Sequence, residues 1–63
     1  MTINSIHEVQ LLRAKDVAES LAISVWHLDS LRRDGLIKAV QVGARSYRYH
    51  HDDVVDFVRR RRG

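Results

Sequence analysis

A chain of 63 residues makes one small domain, able to bury only about 60% of the surface its unfolded form exposes, so its core must be thin. It has no cysteine, which excludes disulfide staples and cysteine-ligated zinc and fits a reducing compartment; no apolar run approaches the ~20 residues of a membrane span, and no signal peptide opens the chain. With 11 Lys and Arg against 8 Asp and Glu, the net charge of +3 suggests an anionic partner, of which nucleic acid is the commonest.

In chain order, residues 1–10 form an N-terminal segment in which Ile3, Ile6 and Val9 recur every third position, as in a loose helical turn or a segment laid over a core. "QLL" is short enough to be a strand leading into "RAKDVAESL", where Val17, Ala18 and Leu21 form one apolar stripe of a short helix. Arg13 and Ala14 are poor caps for it, while Asp16 faces the helix dipole from the first turn. Ala22 and Ile23 leave room for only a tight turn. Ser24 is then a good N-cap, because its hydroxyl accepts from the free amides of the next turn.

The second helix covers about residues 25–33, buries Leu28 and Leu31, and stops at Gly35, which suits the left-handed position after a helix. After Gly35 the apolar period falls from 3.6 to 2. "LIKAVQV" and "SYRYH" read as the two strands of a β-hairpin around "GAR", with Gly43 expected to supply a positive φ and Arg45 at or beside the tip. Finally "HDDVVDFVRRRR" restarts a helix, with Asp52 and Asp53 at its positive end, the arginines at its negative end, and Val54, Phe57 and Val58 as its stripe.

Helix, turn, helix, hairpin, helix is the order of a winged helix-turn-helix: mainly α with a small β-hairpin, occupying residues 11–63 and ending in a basic tail. The geometry suits double-stranded DNA. A helix fits the major groove, where each base pair shows a distinct donor and acceptor pattern. A thin hairpin carrying a cation fits the minor groove, whose negative potential draws arginine. Helix 25–33 is therefore expected in the major groove and the wing in the adjacent minor groove. Charge supports this placement, since residues 24–50 hold Arg32, Arg33, Lys38, Arg45 and Arg48 against Asp29 and Asp34.

The ordered set of Leu11 and Leu12, Ala22, Ser24, Leu28, Asp34 and Gly35, Val42 to Arg45, Tyr47 to Tyr49, and Asp52 to Val54 resembles the excisionase-type, MerR-like DNA-binding domain over about residues 11–58. The sequence departs from that family at Arg13, where a Ser or Thr cap is usual, and at Ala22, where Gly is common. The resemblance implies a phage excisionase, or recombination directionality factor, which binds and bends attachment-site DNA and biases a site-specific integrase toward excision. It further implies binding beside other copies of itself, in the cytoplasm of a bacterial host at the nucleoid. A small prophage transcriptional regulator of the same fold is the alternative. A protein-interaction module or antirepressor, using the basic face against an acidic protein, is a third reading.

The expected DNA-binding residues are Ser24, Trp26, His27, Ser30, Arg32, Arg33, Arg45 and Arg48. Arg45 matches the wing arginine of the family, and a cation on a protruding turn has little structural purpose. Trp26, Ser30 and Arg33 fall at i, i+4 and i+7, on one outward helix face. Arg33 suits a guanine edge or a phosphate. Arg32 points about 100° away, toward phosphate or solvent. Trp26 is open between thymine or sugar contact and cover for the core. Ser24 can also donate to phosphate at the helix N-terminus, and His27 and Arg48 can reach phosphates.

Tyr47 and Tyr49 point the same way and read as hairpin core. His50 and His51 lack the further ligands a metal needs, so no metal and no cofactor is expected. Asp52 and Asp53 diverge as helix neighbours, and no nucleophile–base pair or phosphate loop accompanies them, so no enzymatic activity is expected. The run Arg59 to Arg62 is open between a solvated helix end, general phosphate attraction and contact with a neighbouring protomer.

Overall fold

The computed structural model describes residues 11–62, so the readings made for residues 1–10 and for the final residue lie outside the described residues. The elements are β1 (Leu11–Arg13), α1 (Ala14–Ser20), α2 (Val25–Arg33), β2 (Val40–Gln41), β3 (Tyr47–His50) and α3 (His51–Arg62). The strands form one antiparallel sheet in the order β1-β3-β2, with Leu12 opposite Tyr49 and Val40 opposite Arg48. The hairpin of β2 and β3 is the expected wing. The short strand before α1 closes the other side of β3, so β3 is the central strand. This is a winged helix-turn-helix.

Both helices of the helix-turn-helix end in the same way. After α1, the amide of Ala22 donates to Glu19 O (3.1 Å) and that of Ile23 to Ala18 O (2.9 Å); after α2, Gly35 donates to Arg32 O and Leu36 to Leu31 O, both at 3.0 Å. Each is a Schellman motif, which satisfies the orphan carbonyls of a last turn and requires a left-handed residue just past the cap. Gly35 takes that conformation at φ 77°, as its sequence position suggested, and Ala22 takes it at φ 59°. Ala22 thus adopts the backbone that glycine would supply, at a cost of roughly 1–2 kcal/mol for its Cβ.

Arg13 offers no side-chain cap to α1, whereas Ser24 Oγ accepts from the His27 amide at 2.9 Å. The core is the cluster Val17, Ala18, Leu28, Leu31, Ile37 and Tyr49, flanked by half-buried Leu12, Leu21, Ile23, Val54 and Phe57 among others. Leu28 and Leu31 thus bury the stripe that the 3.6 period marked.

Two expectations for the wing are corrected. The stretch 36–42 does not pair throughout: β2 is limited to Val40–Gln41, because Ile37 turns into the core cluster, at 4% exposure, before pairing begins. Nor does Gly43 have a positive φ; among the described residues Gly35 is the glycine that does. A Cβ at Gly43 would lie 3.4 Å from both Ser46 Cβ and Ser46 Oγ, a contact with that side chain. The turn is closed by Val42 N–H to Ser46 O (2.8 Å), Ser46 N–H to Gly43 O (3.4 Å) and Gln41 Nε2 to Ala44 O (3.2 Å).

Candidate nucleic-acid interface

The nine residues of α2 are too few for a stable helix in isolation, so its rigidity depends on its caps and its buried face. Both are present: Ser24 at the start, the Schellman closure at the end, and Leu28 fully buried beneath. The opposite side carries Trp26, which is 77% exposed and so lies outside the core that was one of its two readings. His27 and Arg33 are also exposed, whereas Ser30 is half-buried between the outward face and the core. Of the expected reading face, Trp26 and Arg33 are therefore exposed and Ser30 lies lower. Ser24 is exposed at the helix N-terminus, where the free amides favour an anion.

The wing places Ala44, Arg45 and Ser46 in solvent at its tip. Arg48 is half-buried on β3, and its Nη1 donates to Tyr47 O at 3.0 Å. Tyr49 is the buried ring of the expected pair, at 1% exposure, and burial pushes its hydroxyl above the usual tyrosine range. Tyr47 is half-buried and faces a cation: the Arg32 guanidinium carbon lies 3.8 Å from its ring centroid.

Arg32 is the residue whose surroundings differ most from the sequence reading. Its side chain is only 17% exposed, and it points neither to open solvent nor to the face that holds Arg33. Its Nε donates to Asp29 Oδ1 at 3.2 Å and its Nη2 to the same oxygen. The other carboxylate oxygen, Oδ2, lies 3.6 Å from Arg33 Nε. The hydrogen bond from Arg32, helped by the charges of both arginines, holds the Asp29 carboxyl below the usual carboxylate range despite some desolvation. The same bond raises Arg32 above the ordinary arginine value. Asp29 is the residue that the sequence reading passed over. Its spacing of i, i+3 and i, i+4 to the two arginines was the available signal, because those positions are neighbours on a helix surface.

On α3, Asp52 and Asp53 occupy the first turn and Arg59 to Arg62 the last, all four arginines exposed. Arg60 pairs with Asp56 at 2.9 Å and Arg61 lies over Phe57 at 5.3 Å, so two of the four already have partners within the helix. His50 Nδ1 accepts from the Asp52 amide at 3.4 Å, which gives that side chain a role at the start of α3.

A recognition helix with an exposed aromatic and cation on its outer face, beside a hairpin with a cation at its tip, defines a DNA-binding protein of the winged helix-turn-helix class. The comparison with known families agrees: the helix-turn-helix domain family matches residues 11–62, and the chain belongs to it. No curated protein and no solved structure gives a match. Among the described residues, no helix is long and apolar enough to cross a membrane.

Proposed function

We propose that this helix-turn-helix protein is an excisionase-type architectural factor for double-stranded DNA, performing no chemistry itself. The observation that carries the DNA contact is the joint exposure of Trp26 and Arg33 on α2 and of Arg45 on the wing. In this reading α2 enters the major groove and lays Trp26 on a thymine methyl or a sugar. Arg33 takes a guanine edge or a phosphate, and Arg45 enters the flanking minor groove. Ser24, His27 and Arg48 contact phosphates, which fix register without reading sequence.

The architectural role rests on size and on the excisionase-like order of motifs. One module this small covers little DNA and binds weakly alone. Bending a short site costs on the order of 1–6 kcal/mol, which several copies side by side can offset. The bent array would then present its DNA to a site-specific integrase. A prophage transcriptional regulator would use the same interface, because fold does not fix the process served.

The test is a gel-shift titration at two salt concentrations on attachment-region DNA and on unrelated DNA, followed by a circular-permutation gel. A ladder of discrete bands on the attachment DNA, with position-dependent mobility, supports the architectural role. A single shifted species without bending favours the regulator. Smearing on both DNAs that vanishes at higher salt means phosphate attraction alone and refutes sequence-specific binding.

A further inference from the structure

Reading two grooves at once requires the helix and the wing to sit at a fixed separation, which is set at their base by the core cluster shared by Leu28 and Leu31 of α2, Ile37 of the joining segment and Tyr49 of β3. α2 packs chiefly on α1, while β3 packs on β1, β2, α1 and α3. The segment joining α2 to the wing, residues 34–39, has no regular structure beyond the Schellman closure. Beyond that core, a polar side chain of α2 reaches toward the wing. The Arg32 guanidinium, near the C-terminus of α2, is stacked on the Tyr47 ring of β3 and hydrogen-bonded by its edge to Asp29, one turn back on α2. Asp29 in turn reaches Arg33 on the exposed face. Tyr47, Arg32, Asp29 and Arg33 therefore form one continuous chain of contacts from wing strand to reading face.

We infer that Arg32 is a positioning residue: it locks the wing to the recognition helix and so fixes the number of base pairs between their contacts. This deepens the DNA-binding reading and rests on it. The chemistry demands arginine. A planar guanidinium can present its face to a ring and its edge to a carboxylate at the same time, whereas an ammonium is a point charge with no face. Asp29 fixes the plane of that group by accepting from both Nε and Nη2 on one carboxylate oxygen. Arg32 itself, mostly covered by Tyr47 and Asp29, touches no base in this arrangement.

The consequence is a spacing rule. A protein with a locked wing rejects a site in which one base pair is inserted between the helix and wing contacts. A protein with a loose wing accepts it, because the hairpin can follow the displaced groove. The experiment enriches a duplex from a randomised pool with the full-length wild-type protein. It then measures affinity for that duplex and for a version with one base pair inserted between the two halves of the footprint. Wild type and Tyr47→Phe, which keeps the ring, should lose about tenfold or more on the insertion, equivalent to about 1.4 kcal/mol. Arg32→Lys and Tyr47→Leu should bind the two duplexes within about twofold of each other.

Asp29→Asn changes a side chain that is 43% exposed, so it keeps the fold and serves as the second variant, with part of the preference lost. Circular dichroism confirms folding before each titration. If Arg32→Lys, Tyr47→Leu and Asp29→Asn bind every duplex more weakly but keep the wild-type preference, Arg32 is packing alone and the inference is overturned. If the wild type enriches no sequence from the pool, the DNA-binding reading itself fails, an outcome separate from the first.

Discussion

Trp26 offers the most direct discrimination between a reading face and a structural one, and it is the only tryptophan in the chain. At 77% exposure it leaves about a quarter of its side chain covered. Fully buried, a tryptophan removes up to about 250 Å² from water, so a quarter at ~25 cal/mol/Å² contributes about 1.5 kcal/mol at most. Alanine is the better helix former by ~0.5 kcal/mol. Trp26→Ala should therefore cost about 1 kcal/mol or less, against the 3–5 kcal/mol typical of a core tryptophan. In a domain this size that is a drop in melting temperature of at most about 8 °C.

Affinity for a specific duplex should fall much further. Covering about 50–100 Å² of the exposed indole against a thymine methyl or a sugar contributes about 1.2–2.5 kcal/mol at ~25 cal/mol/Å², which is roughly 8- to 70-fold in Kd. The assays are a thermal melt of wild type and variant, a fluorescence titration of each on the same duplex, and the intrinsic emission of wild type, which should shift as DNA covers the indole. A variant that fails to fold would show that Trp26 is core. A folded variant with unchanged affinity, together with wild-type emission that ignores DNA, would remove α2 from the groove.

Other perturbations separate capping, charge and ionisation. Ser24→Ala should lower stability by about 0.5–2 kcal/mol through loss of the cap; Ser24→Asp should keep the melting temperature and still weaken DNA binding, because a carboxylate occupies the anion position at the helix start, and equal binding by the two would argue against phosphate there. Arg45→Ala should leave the melting temperature within a degree or two and lower both the affinity and the slope of log K against log salt, because the cation is drawn into the minor groove by its negative potential; unchanged affinity and slope would place the wing off the DNA. Stability against pH should show two limbs. The depressed Asp29 carboxyl contributes stability that is present above about pH 4 and lost as pH falls through its lower folded value, and the raised Tyr49 hydroxyl contributes stability that is present below about pH 10 and lost as pH rises past it. Melting curves of Asp29→Asn and Tyr49→Phe should each flatten one limb alone.

The residues legible from sequence were those whose role is local. Ser24 and Gly35 announce the ends of α2 because capping needs one side chain or one φ, and Leu28 and Leu31 announce its buried face through a period set by the helix itself. What the sequence left open or misread depends on partners far along the chain. Pairing of Leu12 with Tyr49 joins β1 to a strand beyond both helices, and no local period encodes it. The stacking of Arg32 on Tyr47 has the same origin, so an arginine next to Arg33 looked like a second surface cation. Gly43 failed differently: glycine occurs in turns with and without a positive φ, and the letter alone does not say which.

The hairpin and the helix differ in how much of their order exists before any partner arrives. α2 is capped at both ends and seated on a fully buried leucine. The wing is held at its base by β3 and the Arg32–Tyr47 contact, whereas its tip beyond the two-residue β2 is a solvent-exposed turn closed by two backbone hydrogen bonds. Segments with so few protected amides open at low free energy, well below global unfolding. Each residue fixed on docking then costs about 1–2 kcal/mol in backbone entropy. In the proposed complex α2 would dock already ordered, while the tip would surrender part of its contact energy to becoming ordered. Amide exchange should divide the molecule along the same line, slow at Leu28 and Leu31, fast from Val42 to Ser46, and slowed at the tip and at the start of α2 when a duplex is bound.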